Sequence, residues 1–161
     1  MSLNLRFRHW YRGLELMSLF RIAPVDSTTL STERLCSLVK LFRQLSQNAN
    51  EELVSIAIKS SQNRCIVAWH ENEPIGALIL ATFPCATGLR SHVEDVVVDE
   101  AWRKQGVATA LLKEAIRCAR EEFQVRTIDL TSRQEREAAN RLYAKLGFVQ
   151  RDTNVYRFAG Q

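Results

Sequence analysis

The residues with the clearest chemical meaning form a short turn at positions 103–108: Arg103, Lys104, Gln105, Gly106, Val107 and Ala108. Because glycine and alanine have little or no side chain, another molecule can approach the backbone closely here. Two cations stand beside them, although the helix macrodipole disfavours positive charge in a first helical turn. If a helix starts at this turn, its free N–H groups and the cations together favour a bound polyanion. A solvated basic helix start is the alternative that the isolated motif leaves open.

The segments on either side indicate that a strand runs directly into a helix at this turn. Residues 93–98 are apolar and rich in valine, as in a buried strand. After the turn, apolar side chains recur at helical spacing: Val107, Ala108, Leu111, Leu112, Ala115, Ile116 and Ala119. The pattern predicts a helix over residues 105–122 and a strand over 126–130. Strand, helix and strand form a βαβ unit, with parallel strands and a right-handed crossover.

Two carboxylates, Glu94 and Asp95, begin the strand that precedes the turn. Strand alternation places them on opposite faces, with Glu94 on the face of Val96 and Val98. A glutamate in a partly dry cleft has a raised pKa and can accept a proton from an ammonium group. One carboxylate is therefore predicted to be functional. A salt-bridged structural carboxylate is the alternative.

Periodicity and turn residues predict the remaining elements. A first strand over residues 19–23 ends at Pro24, and two helices follow, with apolar faces within residues 35–45 and 53–58. Residues 64–69 and 75–82 form a hairpin, in which Gly76 indicates a bulge or a close backbone contact. Residues 84–91 are predicted as a loop, either a lid or a plain connector. A helix closed by Gly147 and two strands, over residues 148–152 and 155–158, complete the chain.

The composition predicts one soluble, cytoplasmic domain over residues 19–161. With 161 residues and 46% hydrophobic content, the chain can fill one core, and no apolar run could span a membrane. The four cysteines and three histidines are scattered, so we expect no metal site and reduced thiols. A nucleophilic cysteine with a distant histidine is a minor alternative. The net charge of +4 is dispersed among acidic residues, which fits a phosphate-bearing ligand better than nucleic acid.

Residues 1–18 are predicted to be a basic N-terminal extension, since arginines, His9, Trp10 and Tyr11 crowd together there. A targeting peptide, a membrane-surface helix and a lid over the substrate are its functional readings. The favoured interpretation gives the extension no such function and treats it as a remnant or as a segment packed against a neighbour. Nucleic-acid binding through this extension would predict a steep loss of affinity with salt.

The turn at residues 103–108 resembles the Arg/Gln-x-x-Gly-x-Gly/Ala motif of the GNAT superfamily of N-acetyltransferases. Arg103, Gly106 and Ala108 fill its three defined positions, and Val96, Val97 and Val98 match the strand end before it. Residues 139–148 are similar to a second signature, with Tyr143 as the tyrosine before the Gly-Phe pair. Residues 153–157 are similar to small bacterial members. The resemblance covers about residues 19 to 158.

The resemblance implies an α/β (α+β) fold, with a mixed sheet of about six to seven strands, about four helices, and parallel strands 4 and 5 splayed apart. In such a fold, the backbone of Val96, Val97 and Val98 pairs with the pantetheine arm of acetyl-CoA. The pyrophosphate lies on the turn formed by Arg103, Lys104, Gln105, Gly106, Val107, Ala108 and Thr109. Asn140 is a further cofactor contact, although many relatives carry their asparagine at the position of Arg136.

The implied activity is direct transfer of an acetyl group from acetyl-CoA to a primary amine in a ternary complex. Glu94 has the spacing to Arg103 of a general base in the histone-acetylating branch, and Tyr143 is the acid that protonates the CoA thiolate. The structural alternatives are a salt-bridged carboxylate for Glu94 and a core tyrosine with a satisfied hydroxyl for Tyr143. A non-catalytic acyl-CoA sensor or scaffold of the same fold is the alternative function. The acceptor is a small-molecule or peptide amine of unnamed identity, and a homodimer is left open.

Overall fold

The computed structural model describes residues 19–159, so the predicted N-terminal extension lies outside the described residues. In chain order the elements are β1 (Arg21–Val25), α1 (Thr32–Arg43), α2 (Glu51–Lys59), β2 (Asn63–His70), β3 (Glu73–Cys85), β4 (Gly88–Val98), a 3-10 turn (Glu100–Trp102), α3 (Val107–Arg117), β5 (Thr127–Asp129) and α4 (Glu137–Lys145). A π-helical turn, Cys118–Glu122, extends α3. The chain divides into two compact units, up to Leu130 and from Thr131 onward.

The sheet of the first unit has the strand order β1-β2-β3-β4-β5. Neighbouring strands from β1 to β4 are antiparallel, and β4 and β5 are parallel. The predicted βαβ unit is therefore confirmed, with α3 as its crossover. Within residues 19–159 the sheet has five strands and not six to seven, while four α-helices agree with the prediction.

Local sequence explains where α1 and α2 begin. The Ser31 hydroxyl accepts a hydrogen bond from the Arg34 amide at 3.3 Å, and the Asn50 side chain accepts one from the Leu53 amide at 2.9 Å. Such N-caps satisfy amides that have no partner inside the helix. Both helices cover one face of the sheet, where their apolar side chains pack against those of β2 and β3, including Leu38, Phe42, Val54, Val67, Ala77 and Ile79.

Helix α3 packs directly on β3 at Gly76. A Cβ atom on Gly76 would lie 2.8 Å from Val107 Cγ1 and 3.1 Å from Leu111 Cδ1. The first distance is shorter than real Cβ contacts and the second is tighter than most of them, so a larger residue would force these helix side chains to shift. The close contact that this glycine predicted is present, and it fixes the height of the α3 N-terminus above the sheet.

Two prolines sit in strands where the sequence predicted an end or a loop. Pro24 lies inside β1 and pairs with Ile66, because β1 is an edge strand and an edge position tolerates a missing N–H group. Pro84 pairs with Leu89, so the predicted loop over residues 84–91 is wrong. Strands β3 and β4 instead form a long hairpin, held also by a buried 2.7 Å hydrogen bond between the Thr82 and Ser91 hydroxyls.

The second unit contains α4 and an extended C-terminal segment. The strands predicted over residues 148–152 and 155–158 are wrong, since the described part of this segment has no strand. Alternating apolar residues need a neighbouring strand to pair with, and α4 is the regular element of this unit. Val149, Val155, Tyr156 and Phe158 are accordingly exposed.

Candidate active site

The turn before α3 has a backbone shaped to leave its amides accessible. Gly106 and Lys104 both lie in the left-handed region, with φ of 86° and 62°. A Cβ atom on Gly106 would meet nothing within 4 Å. The first hydrogen bond of the helix runs from the Ala110 amide to the Gly106 carbonyl oxygen at 3.0 Å. The amides before Ala110 therefore remain available to an external acceptor.

The charges around this turn also favour an anion. The first turn of α3 has no acidic residue, and Gly106 supplies no side-chain cap. Arg103 donates to the Val98 carbonyl oxygen at 3.3 Å and to Glu100 Oε1 at 3.1 Å. Lys104 makes no ion pair within the part of the chain that the structure describes. Gln105 donates to the Ala101 carbonyl oxygen at 2.8 Å, which ties the turn to the preceding 3-10 turn.

Strand β4 contains a β-bulge next to this turn. Glu94 is opposite Ile79 and Val97 is opposite Ala77, so two residues of β4, Asp95 and Val96, face the single residue between them on β3. Asp95 has a left-handed backbone, with φ of 51°. A bulge takes its additional residue out of the ladder and changes the direction of the strand.

The bulge overturns one expectation about strand faces. Strict alternation placed Glu94 on the face of Val96 and Val98. With one additional residue in β4, Glu94 shares its face with Val97, because opposite residues of an antiparallel pair point to the same side and both Ile79 and Ala77 belong to the α1–α2 core. The alternating pattern of the sequence continues through the bulge, so alternation alone does not reveal the additional residue.

Beyond the bulge, β4 has an open edge on its parallel side. Its pairing with β5 is limited to Arg90, Ser91 and His92, opposite Thr127, Ile128 and Asp129. Within the first unit, residues 93–98 have no described strand on that side, and the open edge includes Val96, Val97 and Val98. The parallel strands are thus splayed as the resemblance implied. An open edge presents N–H and C=O groups that an extended ligand can pair with.

Glu94 and Asp95 have different surroundings. The Glu94 carboxylate accepts a 2.8 Å hydrogen bond from His92 Nδ1 and remains about half exposed, at 52%. The Asp95 carboxylate makes no hydrogen bond or ion pair with other described residues. Burial and the neighbouring Glu94 charge raise the pKa of the Asp95 carboxyl above its usual range. The sequence did not distinguish these environments, because the bulge that creates them has no clear sequence signal.

A cleft of about 220 Å³ lies between the α1–α2 region and the sheet, with Asp95 on its wall. Its other walls are mostly apolar and include Phe42, Leu45, Leu53, Val54, Ala57 and Ile79. The C-terminal end of α1 is tied to the end of β4, since Gln44 Nε2 donates to Asp99 Oδ2 at 2.7 Å. The cleft therefore lies beside the same strand whose edge is open.

Tyr143 lies in α4 of the second unit and is half-buried. Its ring packs edge-on against Phe148, with ring centroids 6.1 Å apart. Burial raises the pKa of its phenol above the usual value of 10.0, and the charge of Arg136 acts in the opposite direction. A raised pKa keeps the phenol protonated at neutral pH, as a proton donor requires.

Asn140 has a local structural role in the same helix. Its side-chain amide donates to the carbonyl oxygens of Arg133 and Gln134, at 3.0 and 3.3 Å, and so holds the turn before α4. A cofactor contact of Asn140 stays a prediction, and its side-chain oxygen is the atom that would make this contact.

Two cysteines are poor candidates for a covalent mechanism. Burial raises the pKa of Cys65 to about 12. Burial together with Glu122 and Glu114 raises the pKa of Cys118 to about 12. Both thiols stay protonated at neutral pH, and the thiolate is the nucleophilic form. Residues 19–159 contain no cluster of three or more metal-binding side chains. None of the described helices has both the length and the apolar character needed to cross a membrane.

The sequence matches the model of a known protein family. The model of the acetyltransferase (GNAT) family matches residues 32–148, which is most of the chain. The chain therefore belongs to the GNAT acetyltransferase family. No curated protein sequence matches it.

Solved structures share the fold. An acetyltransferase of Trypanosoma brucei is 20% identical, covers 87% of this chain and 99% of its own, and has a TM-score of 0.72. An aminoglycoside acetyltransferase from an uncultured soil metagenomic sample, in complex with sisomicin, is 14% identical over 91% of this chain and 99% of its own, with a TM-score of 0.77. An aminoglycoside N-acetyltransferase in complex with CoA is 15% identical over 87% and 94%, with a TM-score of 0.72.

Proposed function

We propose that this protein transfers the acetyl group of acetyl-CoA to a primary amine by direct attack in a ternary complex. The observation that carries the proposal is the junction of an open strand edge with an uncapped helix start. Residues 93–98 expose backbone groups along one side, and the Gly106 turn offers amides with two nearby cations. The first suits the extended pantetheine arm, and the second suits the pyrophosphate of the same molecule.

The residues of this turn fit the cofactor. Since a Cβ atom on Gly106 would meet nothing within 4 Å, there is room for a phosphate beside the backbone. Val107, Ala108 and Thr109 would donate their amides to it. Arg103 and Lys104 would add positive charge, with Gln105 holding the turn. Bound acetyl-CoA would supply an acetyl group activated as a thioester.

Each remaining step uses a group of this chain. Glu94, directly or through water, accepts a proton from the substrate ammonium, and the neutral amine forms a bond to the acetyl carbon. Backbone N–H groups at the bulge stabilise the negative charge that develops on the acetyl oxygen. As the carbon–sulfur bond breaks, the Tyr143 phenol donates its proton to the leaving thiolate. The products are an N-acetylated amine and CoA thiol.

The test measures CoA thiol release from acetyl-CoA across a panel of primary amines. The proposal predicts release that depends on at least one amine and yields the acetylated amine by mass spectrometry. Tight CoA binding without release for any amine would favour a non-catalytic acyl-CoA sensor instead. A cytoplasmic location is a further prediction of the same kind.

A further inference from the structure

The cleft beside β4 has an unusual balance of apolar and charged groups. Of the ten residues that line it, seven are apolar, Ser46 and Asn48 are polar and neutral, and Asp95 alone is charged. Leu53 is 53% exposed, so the rim presents apolar surface to solvent. Such a cleft can bind an apolar group and a single cation.

Asp95 has a free carboxylate at this cleft. Among the described residues no side chain or backbone group donates a hydrogen bond to it, and no arginine or lysine pairs with it. Partial burial at the cleft wall and, after it, the charge of Glu94 raise the pKa of the Asp95 carboxyl, while the residue as a whole stays exposed. A carboxylate in partly apolar surroundings gains from a cationic partner more than a fully solvated one does.

The position of Asp95 relates the cleft to the reacting group. Asp95 is covalently joined to Val96, another residue of the open edge, and both belong to the bulge. Consecutive Cα atoms are about 3.8 Å apart. An ammonium group paired with Asp95 would therefore lie within a side-chain length of the strand on whose edge the acetyl thioester would be held.

We infer that the cleft is the acceptor site and that it selects a small, mainly apolar primary amine with one positive charge. The apolar body would pack against Phe42, Leu53 and Ile79, and the ammonium would pair with Asp95 before Glu94 removes its proton. This inference rests on the proposed function.

Polycationic acceptors are disfavoured by the same walls. A second ammonium group of a polyamine or an aminoglycoside would lie against apolar side chains or in solvent. Within residues 19–159 the cleft lining holds no second carboxylate, and the neighbouring Glu94 acts on the same ammonium as Asp95. Placing a charge against an apolar wall without a partner carries a desolvation cost, so these acceptors lose apolar contacts and gain no ion pair.

The deciding experiment is calorimetric binding of phenethylamine, with spermidine as the polycationic probe, to the full chain with CoA present. We expect phenethylamine to bind the wild type at least about tenfold more tightly than spermidine does. Asp95→Asn should weaken phenethylamine binding by about tenfold or more, since it removes the ion pair. Glu52→Gln, a matched loss of one negative charge at an exposed position of α2 outside the cleft lining, should bind normally.

A second variant tests selectivity without disturbing the core. Leu53→Asp adds a carboxylate at the exposed rim, and it should raise spermidine affinity relative to phenethylamine. Equal binding of the two probes to the wild type, or an unchanged phenethylamine affinity in Asp95→Asn, would overturn the inference. Because binding is measured directly, these results differ from failure of the proposed function, in which amines bind but no CoA thiol is released.

Discussion

We propose separate roles for the adjacent carboxylates at the bulge of β4, because their surroundings differ. The Glu94 carboxylate accepts a 2.8 Å hydrogen bond from His92, while the Asp95 carboxylate lies on the cleft wall without a partner among residues 19–159. We predict that Glu94→Gln lowers kcat by roughly a hundredfold, since it removes the proton acceptor. The KM of the amine should change much less. Steady-state kinetics at saturating acetyl-CoA measure both constants, and an unchanged kcat would remove Glu94 from the chemistry.

Tyr143 is the second residue whose role depends on its protonation state. We predict that Tyr143→Phe lowers kcat by roughly a hundredfold, because the thiolate then leaves without a positioned acid. The KM for acetyl-CoA should stay within about twofold, since the ring and its contact with Phe148 are retained. Circular dichroism of the variant controls for folding.

The pH dependence of kcat gives an independent check on Tyr143. Because the folded-state pKa of this phenol is raised above 10.0, the acid form persists to higher pH than it would in an unfolded chain. An alkaline limb due to Tyr143 should therefore lie above pH 10.0, and a wild-type limb between about pH 8 and 9 that disappears in Tyr143→Phe would contradict the direction of this shift.

At the scale of elements, we propose that the start of α3 and the end of β4 act as one binding surface. Gly106→Glu should abolish CoA binding, because it places a carboxylate and a bulky side chain where the phosphate would lie, at a backbone φ of 86°. Gly106→Lys is the matched control, since it has the same backbone strain but the opposite charge, and it should retain more affinity. Calorimetry measures the CoA affinity of both variants. If Gly106→Glu binds CoA normally, the phosphate site does not lie at this turn.

The contact between α3 and β3 sets the distance between the α3 N-terminus and the sheet, and so the position of that surface. Gly76→Ala should destabilise the fold by about 1–3 kcal/mol, since the new methyl group would overlap Val107 Cγ1 at 2.8 Å. Adding Val107→Ala removes the overlapping atom, so the double variant should recover part of the loss. Urea unfolding of the two single variants and the double variant measures the coupling between the two substitutions. If their effects on the free energy of unfolding add strictly, the overlap is not the cause of the loss in Gly76→Ala.

The elements also show which features the sequence could reveal. The strand-to-helix change at residues 93–119 has strong periodicity on both sides, and it predicted β4, α3 and the glycine turn between them. The partners of a strand are distant in sequence, so the sequence alone does not show whether a strand tolerates a proline. Pro24 and Pro84 therefore indicate the end of a strand and a loop, although both lie within paired strands. The strands predicted after residue 147 failed for the same reason. The bulge at Asp95 changes which residues share a face, and that hid the environment of this carboxylate.

At the scale of the whole molecule, the net charge of +4 has a consequence for binding. A cationic protein attracts a polyanionic substrate at long range, and salt screens that attraction within about 8–10 Å at physiological ionic strength. We predict that raising the ionic strength from about 0.02 to 0.5 M increases the KM of acetyl-CoA several-fold while kcat changes little. S-acetylpantetheine, which lacks the phosphates, is the matched substrate whose KM should respond much less. If both substrates show the same dependence on salt, the positive charges of the chain do not bind the phosphates, and the affinity of the site comes from the strand edge alone.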